Sequence, residues 1–208
     1  MTDRLATGIP PLDRKLDGGL TPGSLVTLSA SPASQSEQFI RDVAAERKTL
    51  LVTTRRPRSA VERSLRRRGL RPDTVAVREL DRDDPVAFVL SCARALEERT
   101  TLVLDPLDPL EDLPEERYVD FLGELQDAVV DRESLALLHC LTGPSVPDHR
   151  GITEYVSDAV FELSTESSGD SIENRLVVPK FRGGHPFEEV LKLELRNRVA
   201  VDTSRDIG

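Results

Sequence analysis

The chain has no tryptophan, one methionine, two cysteines and four lysines among 208 residues. Aromatic residues make up 4% of it. Each scarcity excludes something. Two thiols, Cys92 and Cys140, supply neither a disulfide framework nor a four-thiolate zinc site. A reduced, cytoplasmic protein is the expectation. His139, Cys140 and His149 fall short of a metal ligand set, because neighbours on a strand point to opposite faces. No metal is expected. No apolar run reaches about 18 residues, which argues against a membrane-spanning helix. The first residues, MTDRLATGIPPLD, lack a charged start followed by an apolar stretch, so no secretory signal is expected.

What is abundant is charge. The 28 basic residues face 37 acidic ones, a net charge of −9. Such a balance disfavours general attraction to nucleic acid or anionic membrane. With 38% hydrophobic residues the chain has room for one core, and residues 1–208 read as a single domain. One segment opposes the overall charge. Arg55, Arg56, Arg58, Arg63, Arg66, Arg67, Arg68 and Arg71 crowd a short stretch. This is the best candidate contact surface, for an acidic protein patch or for phosphates. No aromatic residue interleaves, which weighs against base stacking and puts protein contact ahead of nucleic acid. The plain alternative is a surface helix whose arginines pair with the chain's own carboxylates.

Apolar runs alternate with longer amphipathic stretches. Strands are expected at 24–30, 49–54, 74–79, 101–105 and 134–140. Helices are expected at 35–47, 60–68, 85–98 and 115–131, with Gly69 ending the second and Pro85 opening the third. A loop rich in proline and acid joins residues 106–114, and another loop covers 143–150. From residue 158 onward short strands follow one another, with a hairpin turn at Gly169-Asp170 and a loop at Gly183-Gly184. The pattern predicts a three-layer α/β fold, its mostly parallel sheet extended by antiparallel strands at the C-terminal end.

An apolar strand, a turn of small residues and a helix form the setting of a phosphate-binding loop. Here the turn reads Ala30-Ser31-Pro32-Ala33-Ser34-Gln35-Ser36-Glu37. Before it stand Thr7-Gly8-Ile9-Pro10-Pro11-Leu12-Asp13 and Gly18-Gly19-Leu20-Thr21-Pro22-Gly23-Ser24. Leu102–Asp105 follows as an apolar strand ending in an acid. Gly151–Val160 and Lys180-Phe181-Arg182-Gly183-Gly184-His185 complete an ordered set. Taken together, the set resembles KaiC- and RadA-like proteins of the RecA superfamily, including those that control gas vesicles. The resemblance implies a RecA-like (P-loop NTPase) fold over nearly the whole chain. It implies that Pro32 and Ser34 belong to a former Walker A loop and Asp105 to a Walker B-like strand end. The acid excess with scarce lysine is similar to the proteomes of salt-loving archaea with GC-rich genomes.

The departures from that family matter more than the matches. Aligned on Pro32, three loop glycines have become Ala30, Ala33 and Gln35. The phosphate-gripping lysine has become Ser36, and the magnesium-binding hydroxyl Glu37. Replacing a loop glycine costs roughly 1 kcal/mol where positive φ is required. Charge weighs more: one elementary charge at about 4 Å is worth on the order of 4 kcal/mol at an effective dielectric near roughly 20. Glu37 also suits the positive end of the helix that follows. The family's catalytic glutamate follows the second strand, and Thr54-Arg55-Arg56-Pro57 offers no carboxylate there. A pseudo-ATPase is expected, without cofactor, in which Ala30, Ala33, Gln35, Ser36 and Glu37 form a vestigial loop. An altered loop that still holds ATP with magnesium is the alternative. Asp105 is then expected to bond nearby backbone amides.

Lys180 and Arg182 alternate, so they share one face of a strand. In KaiC-like rings the resembling pair reaches a neighbouring subunit's nucleotide, where an arginine stabilises charge building on the phosphoryl group. The resemblance thus implies self-association, or pairing with an intact paralogue that borrows this pair. The plain reading is a solvated edge or an internal ion pair. The expected role is regulatory or scaffolding, through protein contacts. The family's links to signalling and motility come from the resemblance alone.

Overall fold

The computed structural model describes residues 3–168, 171–184, 189–195 and 199–201. Its helices are α1 (Pro10–Lys15), α2 (Ser36–Glu46), α3 (Arg58–Arg67), α4 (Pro85–Arg94), α5 (Asp108–Glu111), α6 (Glu115–Asp131) and α7 (Arg150–Val156). Its strands are β1 (Ser24–Ala30), β2 (Thr49–Thr53), β3 (Val75–Glu79), β4 (Thr101–Asp105), β5 (Leu135–Leu141), β6 (Ala159–Ser168), β7 (Ser171–Phe181), β8 (Leu191–Leu195) and β9 (Val199–Val201). They form one sheet in the order β3-β2-β4-β5-β1-β6-β7-β8-β9. From β3 to β6 every pairing is parallel; from β6 to β9 every pairing is antiparallel. The expected layered α/β architecture, with its antiparallel extension, is what stands here.

Apolar composition explains the layers. Strand β1 is buried along all seven residues, because helices cover both of its faces. On one side Val26 and Leu28 meet Phe39, Ile40 and Val43 of α2 and Val61 of α3. On the other, Leu25, Leu102 and Leu104 meet Val89 and Leu90 of α4 and Phe121 and Leu125 of α6. Each such side chain contributes roughly 1.5–3 kcal/mol relative to exposure. Parallel strands with this order bring the C-terminal ends of β2, β4, β5 and β1 to one edge of the sheet, and the candidate site lies there.

Several details differ from the sequence expectations. Helix α4 stops at Arg94 rather than Glu98, because its last turn tightens: Leu96 N–H bonds the Ala93 carbonyl. Helix α5 forms inside the expected loop at 106–114. Helix α1 was not visible as a helix in the sequence. It is held by Asp13, whose Oδ1 accepts from Thr7 N–H at 2.6 Å and from Thr7 Oγ at 2.7 Å. Two motif glycines serve packing. A Cβ on Gly19, at φ +131°, would lie 2.3 Å from the Leu5 carbonyl oxygen. One on Gly8, at φ +79°, would lie 2.7 Å from the Asp42 carbonyl oxygen of α2. Pro179, which has no N–H to donate, lies beyond the stretch of β7 that pairs with β8. The expected turn at Gly169-Asp170, and His185, lie outside the described residues. Among the described residues no helix is long and apolar enough to cross a membrane.

Candidate functional site

The turn from β1 to α2 holds the residues read as a vestigial phosphate loop. Among the described residues, only Asp17, Arg99 and Glu133 adopt positive φ without being glycine. Ala30, Ala33 and Gln35 therefore sit in a backbone that does not need glycine. In a phosphate loop, successive amides point at the anion. Here the loop's own oxygens engage three of them. Ala33 N–H faces Ser31 Oγ at 3.3 Å, Ser34 N–H donates to the Ser31 carbonyl at 2.9 Å, and Ser36 N–H faces Ser34 Oγ at 3.3 Å. Ser36, where the family carries lysine, is buried.

Glu37 lies in the first turn of α2, and Arg56 follows β2. Arg56 Nη1 donates to Glu37 Oε1, so two of the positions that the resemblance reads as substitutions form an ion pair with each other. Thr53 Oγ fixes Arg56 by donating to its carbonyl at 2.9 Å. The pair is exposed, with side chains 39% and 60% accessible, so it contributes at most about 1 kcal/mol to stability. Its consequence is electrostatic: a fixed guanidinium already neutralises the carboxylate at the loop.

Asp105 ends β4 as expected, but its partner differs. Its Oδ1 lies 2.7 Å from His139 Nδ1 on the neighbouring β5, a side chain rather than a backbone amide. His139 is buried, and its Nε2 has no partner. Cys140 points into the opposite core layer, as strand alternation requires. Among the described residues no three His, Cys, Asp or Glu side chains gather as metal ligands.

The basic stretch divides into two populations. Arg58 and Arg66 pair with Glu62 at helical spacing, and Arg71 pairs with Asp73. Arg58's hydrogen bond holds the Glu62 carboxyl below its ordinary range. Arg68 donates to Gln38 Oε1 at 3.0 Å. Arg55, Arg63 and Arg67 are exposed and carry no carboxylate partner among the described residues. Lys180 and Arg182 meet at the end of α7. Lys180 Nζ donates to the carbonyls of Glu154 at 2.8 Å and Tyr155 at 2.5 Å. Arg182 donates to those of Val156 at 2.9 Å and Tyr155 at 2.7 Å. Both cations thus satisfy the unpaired carbonyls of a helix terminus. Burial, then the nearby Arg182 charge, lowers the Lys180 pKa.

The model of a family of unknown function, DUF7125, matches residues 4–208. The chain belongs to that family. No curated protein matches it in sequence. Among solved structures, a KaiC-like protein of the hyperthermophilic archaeon Pyrococcus horikoshii superposes with a TM-score of 0.79. That likeness covers 97% of this chain and 100% of the other, at 18% identity. This DUF7125 member therefore has the KaiC-like, RecA-like three-layer fold. Solved chains that match it number 611, so likeness of fold selects no activity by itself.

One feature of this DUF7125 member was not legible in its sequence. Glu111 of α5, fully buried, accepts from Arg150 Nε at 2.9 and 3.0 Å and from Nη2 at 2.7 Å. Thr153 Oγ donates to the same carboxylate, and Tyr118 OH lies 2.6 Å from Thr153 Oγ. Arg150 Nη1 also reaches the Leu141 carbonyl at 2.9 Å. Burial opposes the arginine's charge, yet the Glu111 hydrogen bonds together with the surrounding charges, those of Glu111 and Asp108 among them, outweigh it and raise its pKa. The network ties α5, α6 and α7 to the end of β5. Its only sequence signal was an acid and an arginine in two segments read as loops.

Proposed function

We propose that residues 1–208 act as one RecA-like domain that does not hydrolyse ATP. It works inside the cell as a regulator or scaffold, through protein contacts. The observation that carries this reading is the Glu37–Arg56 pair. It stands across the two positions where the resembling family needs a magnesium-binding hydroxyl and a catalytic carboxylate. A triphosphate entering there meets a carboxylate that must first be separated from its arginine. It also meets a loop whose amides at Ala33, Ser34 and Ser36 are engaged. No residue between Thr54 and Pro57 can accept a proton from water.

The contact surface in this reading is the outer side of α3, through Arg63 and Arg67 with Arg66 beside them, together with Arg55 in the turn before the helix. An acidic protein patch is the fitting partner, on an ATPase relative or on a second copy of the chain. Lys180 and Arg182 then serve the partner by fixing α7 rather than by reaching its nucleotide. Equilibrium dialysis with ATP and magnesium at high salt tests the reading. No saturable binding is expected up to about 1 mM, which corresponds to roughly −4 kcal/mol. Micromolar binding that is lost on changing Ser36 or Glu37 would establish instead an ATP-binding domain with an altered loop.

A further inference from the structure

A cavity of about 250 Å³ opens between α2 and α3, beside the decayed loop. Its floor is aliphatic: Ile40 and Ala44 of α2, Leu51 of β2, and Val61 and Leu65 of α3. Its rim is polar and crossed by two bridges from α2 to the α3 segment. One is the Glu37–Arg56 pair, and the other is the 3.0 Å bond from Arg68 Nη1 to Gln38 Oε1. The second bridge leaves donors over. Gln38 is 4% exposed, yet its Nε2 has no partner. Arg68 has no carboxylate partner among the described residues. Both side chains line the cavity, and drawing Arg68 away from the amide oxygen opens the Gln38 Nε2, now shielded from solvent, to the same occupant.

A buried amide donor without an acceptor demands an explanation, and an uncompensated guanidinium beside it specifies the missing charge. An aliphatic floor specifies the rest of the ligand. We infer that this cavity binds a small amphiphilic carboxylate. Its unbranched body of about ten non-hydrogen atoms lies between α2 and α3, and its carboxylate bonds Arg68 and Gln38. The charges at its loop end, Glu37 with Arg56 and Asp105 with His139, are already paired, so the carboxylate is taken at Arg68 and Gln38. Occupancy loosens the Arg68–Gln38 bridge, so the ligand changes how α3 is held against α2. The basic face of α3 is thereby placed under the control of a small molecule. The site itself goes beyond the regulatory reading and stands whether or not a protein partner exists.

Sodium octanoate is the probe, titrated into the full chain in concentrated potassium chloride and followed by calorimetry and amide NMR. Saturable one-to-one binding is expected, with shifts confined to α2, α3 and β2. Arg68→Ala, at an exposed position, weakens it about tenfold or more, and neutral 1-octanol binds weaker by a similar factor. Ala44→Leu fills the floor and abolishes binding while the melting temperature holds. Ala44→Val does the same in part, should the leucine disturb the fold. Absence of saturable binding below about 10 mM overturns the inference. So does binding that survives both Arg68→Ala and the cavity-filling variants. ATP dialysis is a separate measurement, so failure here leaves the reading of the loop untouched.

Discussion

Replacing Glu111 with glutamine keeps its size and removes its charge. Arg150 then stays buried, with side-chain exposure of 8%, and its remaining acidic neighbour is Asp108 at 3.4 Å. Glutamine offers one accepting oxygen instead of two, and its NH2 faces other donors, where the carboxylate accepts from Nε, Nη2 and Thr153. Removing one partner of a buried pair costs about 3–5 kcal/mol, because the surviving charge stays desolvated. For a chain of this size each kcal/mol lowers the melting temperature by about 2–4 °C, so a fall of roughly 6–20 °C is expected. Urea unfolding at high salt gives the energy, and thermal circular dichroism gives the shift. The double variant Glu111→Leu, Arg150→Met removes both charges and is expected to be more stable than Glu111→Gln alone. A loss below about 1 kcal/mol for the single variant refutes the claim that this network anchors α7. A double variant no better than the single refutes the desolvation argument behind it.

Three further outcomes follow from the same geometry. Lys180→Ala and Arg182→Ala are each expected to cost about 1 kcal/mol by freeing carbonyls at the end of α7. If either variant leaves urea stability unchanged but slows a partner ATPase, the pair reaches outward after all. Changing Arg55, Arg63 and Arg67 to serine is expected to leave the melting temperature within about 2 °C while abolishing retention on an acidic protein resin. Loss of a salt-dependent shift on DNA in the same variant would favour nucleic acid as the partner. Burial, then the Glu111 charge, raises the Cys140 thiol pKa well above its ordinary value. The folded state therefore prefers the neutral thiol, so its stabilisation is complete below the unfolded thiol pKa of about 8.5 and declines as pH rises beyond it. Urea midpoints between about pH 7.5 and pH 10 should fall less steeply in Cys140→Ala, and equal slopes would dismiss the effect.

The sheet was legible because its signals are local. TLVLD gives β4 its bounds because the strand is buried on both faces, and the 115–131 periodicity gives α6 its bounds because the helix buries one face. The antiparallel extension was visible as short strands between turn residues. What escaped depends on partners far apart in sequence. Nothing near Asp105 announces that His139, 34 residues on, takes its carboxylate. Glu37 and Arg56 were each recognisable as substitutions, but only folding brings β2's end to the start of α2 and makes them a pair. Lys180 and Arg182 share a face as their spacing requires, yet what they meet is set by α7, a helix that the sequence did not declare. Arg150–Glu111 escaped for the same reason: short helices carry too few residues for a period to show.

The residues of the β1–α2 turn and Arg56, finally, constrain one another. In a nucleotide-binding loop, lysine and magnesium neutralise charge that arrives with the ligand, so the site's electrostatics change with occupancy. Here the carboxylate and the guanidinium both belong to the chain, and neither leaves. On the reading proposed above, the loop has one electrostatic state instead of two. Restoring only the lysine, by Ser36→Lys, therefore puts a cation into a buried position whose field Arg56 already shapes. That variant is expected to lose stability, by about 1–3 kcal/mol, without gaining ATP affinity. Gain of function should require clearing Glu37 and Arg56 and returning glycine at Ala33 and Gln35 together, because amides that now face Ser31 and Ser34 must also turn outward. ATP binding acquired by Ser36→Lys alone would show that the loop lost a single grip, and that the ion pair and the engaged amides have no part in excluding the nucleotide.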